Sequence, residues 1–113
     1  MSQITTHILD TARGCPAEGV ALALAVMKGD SWETLAAGET DHDGRVADLL
    51  PEGEDLPAGR YRMRFELEPY FVAQGGAMFY PRADIEFMIA AGGEHYHIPL
   101  LLSPFGYSTY RGS

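Results

Sequence analysis

The chain reads as an all-β protein, a two-sheet sandwich of antiparallel strands accompanied by one short helix. Three features say so. About eight short apolar stretches recur along the sequence, bounded by glycine, proline or Asx residues. One of them sets Tyr61, Met63, Phe65 and Leu67 against Arg62, Arg64, Glu66 and Glu68, the period-two signature of a strand with one wet face. Only one helix is expected, between Pro69 and Phe79.

Ile4 to Asp10 is the first strand, ended by a turn through Arg13-Gly14 and Cys15-Pro16. Val20 to Lys28 alternates small and larger apolar residues; its alanines also suit a helix, but Gly29-Asp30 leading into Trp32 to Ala37 favours a hairpin. Thr40-Asp41-His42-Asp43-Gly44-Arg45 is an Asx-rich turn that delivers Arg45 to a short strand over Val46 to Leu50. The acidic, breaker-rich PEGEDLPAG over 51–59 is an exposed loop, and the strand from Tyr61 follows it. Gly75-Gly76 and Pro81 limit the helix to a turn or two. Ile85 to Ala90, His95 to Ser103 and Tyr107 to Ser113 complete the strands, with Gly92-Gly93 as a turn. Alternation puts His95, His97 and Pro99 on one side and Tyr96, Ile98, Leu100 and Leu102 on the other. Pro99 cannot donate to a ladder, which predicts an edge strand or a bulge there, and an edge invites pairing with another subunit.

With 113 residues, 46% hydrophobic and 21% charged, the sequence suits one folded domain over 1–113 and argues against disorder. The net charge of -8 and the scattered basic residues argue against nucleic acid, which calls for a clustered basic face. An anionic ligand would be held by one or two arginines in a pocket, and Arg45 and Arg111 are the candidates. Cys15 is the single cysteine, so no internal disulfide forms, and a turn-filling role is expected of it. The start MSQITTHILD lacks the basic-then-apolar pattern of a signal peptide, and no apolar run reaches the roughly 20 residues of a membrane helix, so a cytoplasmic location is the expectation.

Four groups of residues are able to carry chemistry. His7 lies inside the first strand. His95 and His97, at i and i+2, share a face and would suit zinc if His7, His42 or an aspartate supplied further ligands. Arg45 follows the Asp-Gly turn. The tail Tyr110-Arg111-Gly112-Ser113 carries aromatic, charged and hydroxyl groups where chains usually fray, which suggests an ordered, functional end.

Three blocks, THILDTARGCPA, TDHDGR and HYHIPLLLSPFGYSTYRGS, resemble the 5-hydroxyisourate hydrolases, the transthyretin-related enzymes of urate breakdown in purine metabolism, and the likeness spans essentially the whole chain. The terminal YRGS separates the hydrolases from the hormone-carrying transthyretins. The resemblance implies a transthyretin-like sandwich of two four-stranded sheets with one short helix, a homotetramer with sites in clefts where two dimers meet, and no metal or cofactor. It assigns catalysis to His7, Arg45 and His97 and substrate binding to Tyr110, Arg111, Gly112 and Ser113; His95 is supporting at most, and His42 is a variable turn residue.

The implied reaction is hydrolysis of a cyclic amide of 5-hydroxyisourate, giving 2-oxo-4-hydroxy-4-carboxy-5-ureidoimidazoline. Amide hydrolysis needs a base for water and positive charge near the carbonyl oxygen, which histidine and arginine supply. Either His7 or His97 fits the base. Two other classes stay open: a small-molecule carrier of the same fold without turnover, and a zinc protein built on the histidines.

Overall fold

A computed structural model describes residues 2–46 and 48–113. Eight strands, β1 (Ile4–Asp10), β2 (Cys15–Pro16), β3 (Ala21–Lys28), β4 (Ser31–Glu39), β5 (Gly59–Glu66), β6 (Arg82–Ile89), β7 (Tyr96–Ser103) and β8 (Gly106–Thr109), form two four-stranded sheets. One is ordered β2-β1-β7-β8 and the other β4-β3-β5-β6. Alternation drives both. In β1 every second residue is buried, from Ile4 to Asp10, and in β5 Tyr61, Met63 and Phe65 turn inward as the pattern predicts. Ile4, Ile8, Leu100 and Leu102 of one sheet share a core with Leu22, Leu24, Met63 and Phe65 of the other. Each such side chain contributes roughly 1.5–3 kcal/mol when taken out of water. The wet face of β5 and β6 carries cross-strand ion pairs instead, Arg64 with Asp84 and Arg82 with Glu66.

The helix α1 spans Glu68–Gln74. Pro69 fits its first turn, where no N–H is needed, and Gly75 closes it in the left-handed conformation with φ 73°, donating its N–H to Phe71 and Val72 carbonyls. The buried side of α1 is Tyr70 and Phe71. The Tyr70 hydroxyl donates to Asp10 Oδ2 at 2.7 Å, while Asp10 Oδ1 accepts the N–H groups of Ala12 and Arg13 at 3.1 and 3.0 Å. A buried carboxylate is thereby satisfied on both oxygens, and the helix is fastened to the end of β1. Among the described residues no helix is long and apolar enough to cross a membrane.

Several local expectations are corrected. The strand pairs are antiparallel with one exception: β1 and β7 run parallel, in the register Thr5 to His97 and His7 to Pro99. Cys15–Pro16 is not a turn but a two-residue strand, paired with Asp10 and Leu9. The expected strand over Val46 to Leu50 includes Ala47, which lies outside the described residues; Val46 and 48–50 form no strand. Their apolar side chains act as a plug: Leu49 and Leu50 are buried, the Leu50 N–H is taken by Ser2 Oγ, and Val46 packs where any Cβ on Gly38 would collide with it. In the 51–59 loop, Leu56 is buried and donates its N–H to Gln3 Oε1 at 2.7 Å. The strand β7 is not an edge despite Pro99, since β1 and β8 flank it; its pairing with β8 breaks off at Leu100.

Tyr70→Phe is expected to destabilise the fold by about 1–3 kcal/mol in urea unfolding, because Asp10 Oδ2 is left buried without its donor. An unchanged midpoint would show that the hydroxyl does not fasten α1 to β1.

Candidate active site

The parallel β1–β7 pair sets the frame. On its outer face stand Thr5 and His7 from β1 and His97 from β7, all half-buried, while their neighbours point into the core. His7 and His97 are two rungs apart on adjacent strands, because His97 pairs with Thr5 and His7 with Pro99.

Arg45 reaches the same face from the Asx turn. Asp41 Oδ1 accepts the N–H groups of Asp43 at 2.8 Å and Arg45 at 3.1 Å, and these bonds hold its carboxyl below the usual carboxylate range. Thr40 pins the base of the turn, its hydroxyl donating to the Ala17 carbonyl at 2.7 Å and accepting the Val20 N–H at 2.9 Å. Gly44 has φ +75° and lies against the Ile8 carbonyl, where a Cβ would clash; Ile8 in turn donates its N–H to the Gly44 carbonyl at 2.8 Å. The chain therefore runs beside β1 with Arg45 bridged to His7.

The tail adds a fourth component. Its ladder with β7 runs from Ser103–Gly106 to Leu100–Thr109, stops, and resumes in the same register at His97–Gly112, with the Gly112 N–H donating to the His97 carbonyl at 2.8 Å. Between these rungs stands Pro99, which has no N–H; its carbonyl accepts the Thr109 hydroxyl at 2.7 Å. Gly112 packs directly on the imidazole, since a Cβ there would lie 2.6 Å from His97 Cδ2.

Arg111 turns the other way. Its guanidinium donates to Glu94 Oε1 at 3.0 Å and lies 4.4 Å above the Tyr96 ring. Together with Tyr110 it lines a cleft of about 250 Å³ beside Ile85, Phe87, Met88 and Ile98. Of the residues singled out in the sequence, the structure thus brings His7, Arg45, His97 and Gly112 together. Tyr110 and Arg111 line the neighbouring cleft, and Ser113 is exposed beyond Gly112. His42 is exposed next to Asp43.

The environment of His97 disfavours its charged form. Burial pushes its pKa below the ordinary value, and the charge of Arg45 and the neighbouring His95 and His7 rings push it further, against an opposing pull from the Thr5 backbone. Neutral imidazole beside a guanidinium is an arrangement able to take a proton from water and steady a developing oxyanion. Sequence reasoning missed one participant. Thr5 Oγ1 lies 2.8 Å from His97 Nδ1 and 3.0 Å from His95 Nε2, so His95 joins the site through a threonine hydroxyl. The i, i+2 spacing of Thr5 and His7, matching that of His95 and His97, was the available signal. Among the described residues the one triad of donors close enough for a single metal ion is the exposed Asp41, His42 and Asp43; His7, His95 and His97 do not converge in this way.

Comparison with known proteins identifies the family of the chain. The HIUase/Transthyretin family model matches residues 4–112. The 5-hydroxyisourate hydrolase of Caulobacter vibrioides is 44% identical over 117 aligned positions that cover 100% of both chains. The solved structure of Klebsiella pneumoniae 5-hydroxyisourate hydrolase is 44% identical, covers 97% of this chain and 98% of its own, and superposes with a TM-score of 0.83. Sea bream transthyretin, solved in complex with thyroxine, is 36% identical over 98% of this chain and 95% of its own, with a TM-score of 0.91. The backbone is common to hydrolases and carriers, so the side chains on the outer β1–β7 face have to decide between the two. By sequence and by fold, the chain belongs to the HIUase/transthyretin family.

Proposed function

We propose that this protein hydrolyses 5-hydroxyisourate to 2-oxo-4-hydroxy-4-carboxy-5-ureidoimidazoline. The observation that carries the reading is the meeting of His7, Arg45 and His97, from three distant segments, on one face of the β1–β7 pair. The full-length likeness to hydrolases of that name supports the same substrate. In this mechanism neutral His97 takes a proton from water, which attacks the cyclic amide carbonyl; His7 holds the water. Arg45 stabilises the oxyanion. Collapse breaks the C–N bond, the proton passes from His97 to the departing nitrogen, and the new carboxylic acid ionises to solvent. Gly112 and Ser113 line the substrate, with Tyr110 and Arg111 on the adjoining cleft wall. The bonds of Arg111 to Glu94 and its stacking on Tyr96 support a part in holding the tail in place.

The face that bears the histidines is open in one protomer. A second copy laid against it would turn the face into a closed cleft, which supports a homotetramer of paired dimers as the active species. A carrier without turnover is the second reading, favoured by the superposition on sea bream transthyretin.

The deciding experiment follows the ultraviolet absorbance of freshly made 5-hydroxyisourate with and without the protein. Faster decay is expected; none, from folded protein, would put the carrier first. His97→Asn keeps polarity but not basicity and should lower turnover about 10²–10⁴-fold, whereas near-normal turnover removes His97 as the base. Because His97 titrates below the ordinary value of about 6.5, the acid limb of kcat/KM should lie below that pH. Arg45→Met removes a positive neighbour, so the limb should move to higher pH; an unmoved limb would mean that another group governs it. Gly112→Ala forces the imidazole aside and should cut kcat while leaving the melting temperature nearly unchanged; full activity would make the tail incidental. Dilution below the assembly constant should abolish turnover, and a fully active monomer would refute the shared cleft.

A further inference from the structure

The imidazole of His97 is gripped on two edges. Its Nδ1 edge meets Thr5 Oγ1 at 2.8 Å and its Cδ2 edge rests against Gly112, while Nε2 has no hydrogen-bond partner among the described residues. Beyond Thr5, the same hydroxyl oxygen lies 3.0 Å from Nε2 of the exposed His95. Two rings therefore share one hydroxyl. A threonine hydroxyl has one proton, so it cannot donate to both, and one of the two histidines must donate to it.

We propose that Thr5 is a positioning residue which, together with His95, fixes the tautomer of His97 with the proton on Nδ1 and the lone pair on Nε2. In this polarity His97 Nδ1–H donates to Thr5 Oγ1, and the Thr5 hydroxyl donates to His95 Nε2. Two considerations select it over the reverse. Thr5 Oγ1 meets His97 at Nδ1 and not at Nε2, so a ring proton on Nδ1 has an acceptor in place. The reverse polarity would place the proton on Nε2, the nitrogen that must be free to receive one from water; this second consideration rests on the general-base reading given above.

The arrangement serves as a neutral counterpart of the carboxylate that orients histidine in hydrolytic triads. As His97 gains its second proton, the bond from Nδ1–H to Thr5 becomes charge-assisted, and the onward bond to His95 strengthens the acceptor. A carboxylate in this place would raise the pKa of His97. A hydroxyl steers the ring without adding negative charge, so the base stays neutral beside the Arg45 guanidinium, and His95 takes part as a neutral ring whose Nε2 accepts. The parallel register sets the distance, since Thr5 and His97 are direct partners across the strands.

Histidine-selective ¹⁵N labelling of the whole protein tests the tautomer without substrate. Near neutral pH, His97 should show a protonated Nδ1 and an unprotonated Nε2, and Thr5→Val should lose this preference. Thr5→Val should also lower kcat by about tenfold or more, a fraction of the general-base gain, with KM changed by no more than about twofold. Thr5→Ser should restore most of kcat, and His95→Ala should lower it less, because water replaces the missing acceptor at an exposed position. An Nε2-protonated His97 in the wild type, or a Thr5→Val enzyme with wild-type kcat, would overturn the proposal. If the wild type does not hydrolyse 5-hydroxyisourate, the function proposed above fails, and the nitrogen spectrum alone still judges the tautomer. The same spectrum decides if Thr5→Val does not fold.

Discussion

The parallel pairing of β1 with β7 is the constraint on which the rest of the molecule depends. Every other strand pair is antiparallel and could be built from hairpins or near neighbours, whereas this one joins residues about ninety positions apart. It places Thr5 opposite His97 and brings His7 to the next outward position. A slip of one residue would turn His7 into the core and expose Ile8, so the apolar pattern that drives burial also fixes the geometry of the polar face. The buried bond from the Thr6 hydroxyl to the Ile98 carbonyl, 2.6 Å long, reinforces that register from the inner side.

Beside this pair the chain sets the Arg45 guanidinium, against its overall balance of -8. Acidic groups serve other ends. Asp41 shapes the turn that carries Arg45, Glu94 engages Arg111, and Asp10 ties β1 to the helix. Burial is the main cause of the lowered His97 pKa, and among the described residues the titratable groups that act on it are Arg45, His95 and His7, with no carboxylate among them. Each neighbour opposes the imidazolium, which keeps the ring in its proton-accepting form.

Much of this architecture is legible in the order of the residues. Alternation locates β5, the Gly29-Asp30 turn locates the first hairpin, and the Asx residues of 41–44 announce a turn ending on Arg45. Pairing over long range is not legible in the same way. Periodicity shows which face a residue occupies but not which strand lies beside it, so the parallel partnership and the contact of Thr5 with both histidines stay hidden. Pro99 misleads for a related reason: its missing N–H interrupts one ladder while the other side of β7 remains paired, and only knowledge of both neighbours separates an interior strand from an edge. Leu49 and Leu50 resemble strand residues because burial, not conformation, dictates their chemistry.

The two sheets also differ in where their strands come from along the chain. The sheet β4-β3-β5-β6 is drawn wholly from residues 21–89, whereas β2-β1-β7-β8 is assembled from the two flanks. During synthesis, a nascent chain displaying residues up to 89 holds every strand of the first sheet, yet β1 has only the two-residue β2 and the Gly44–Arg45 bridge beside it, and its other edge waits for β7. Closing so long a loop carries an entropic cost that the inner faces of both sheets must repay together. The histidine face is therefore a late product of translation, and a partly made polypeptide has no means of exposing it early.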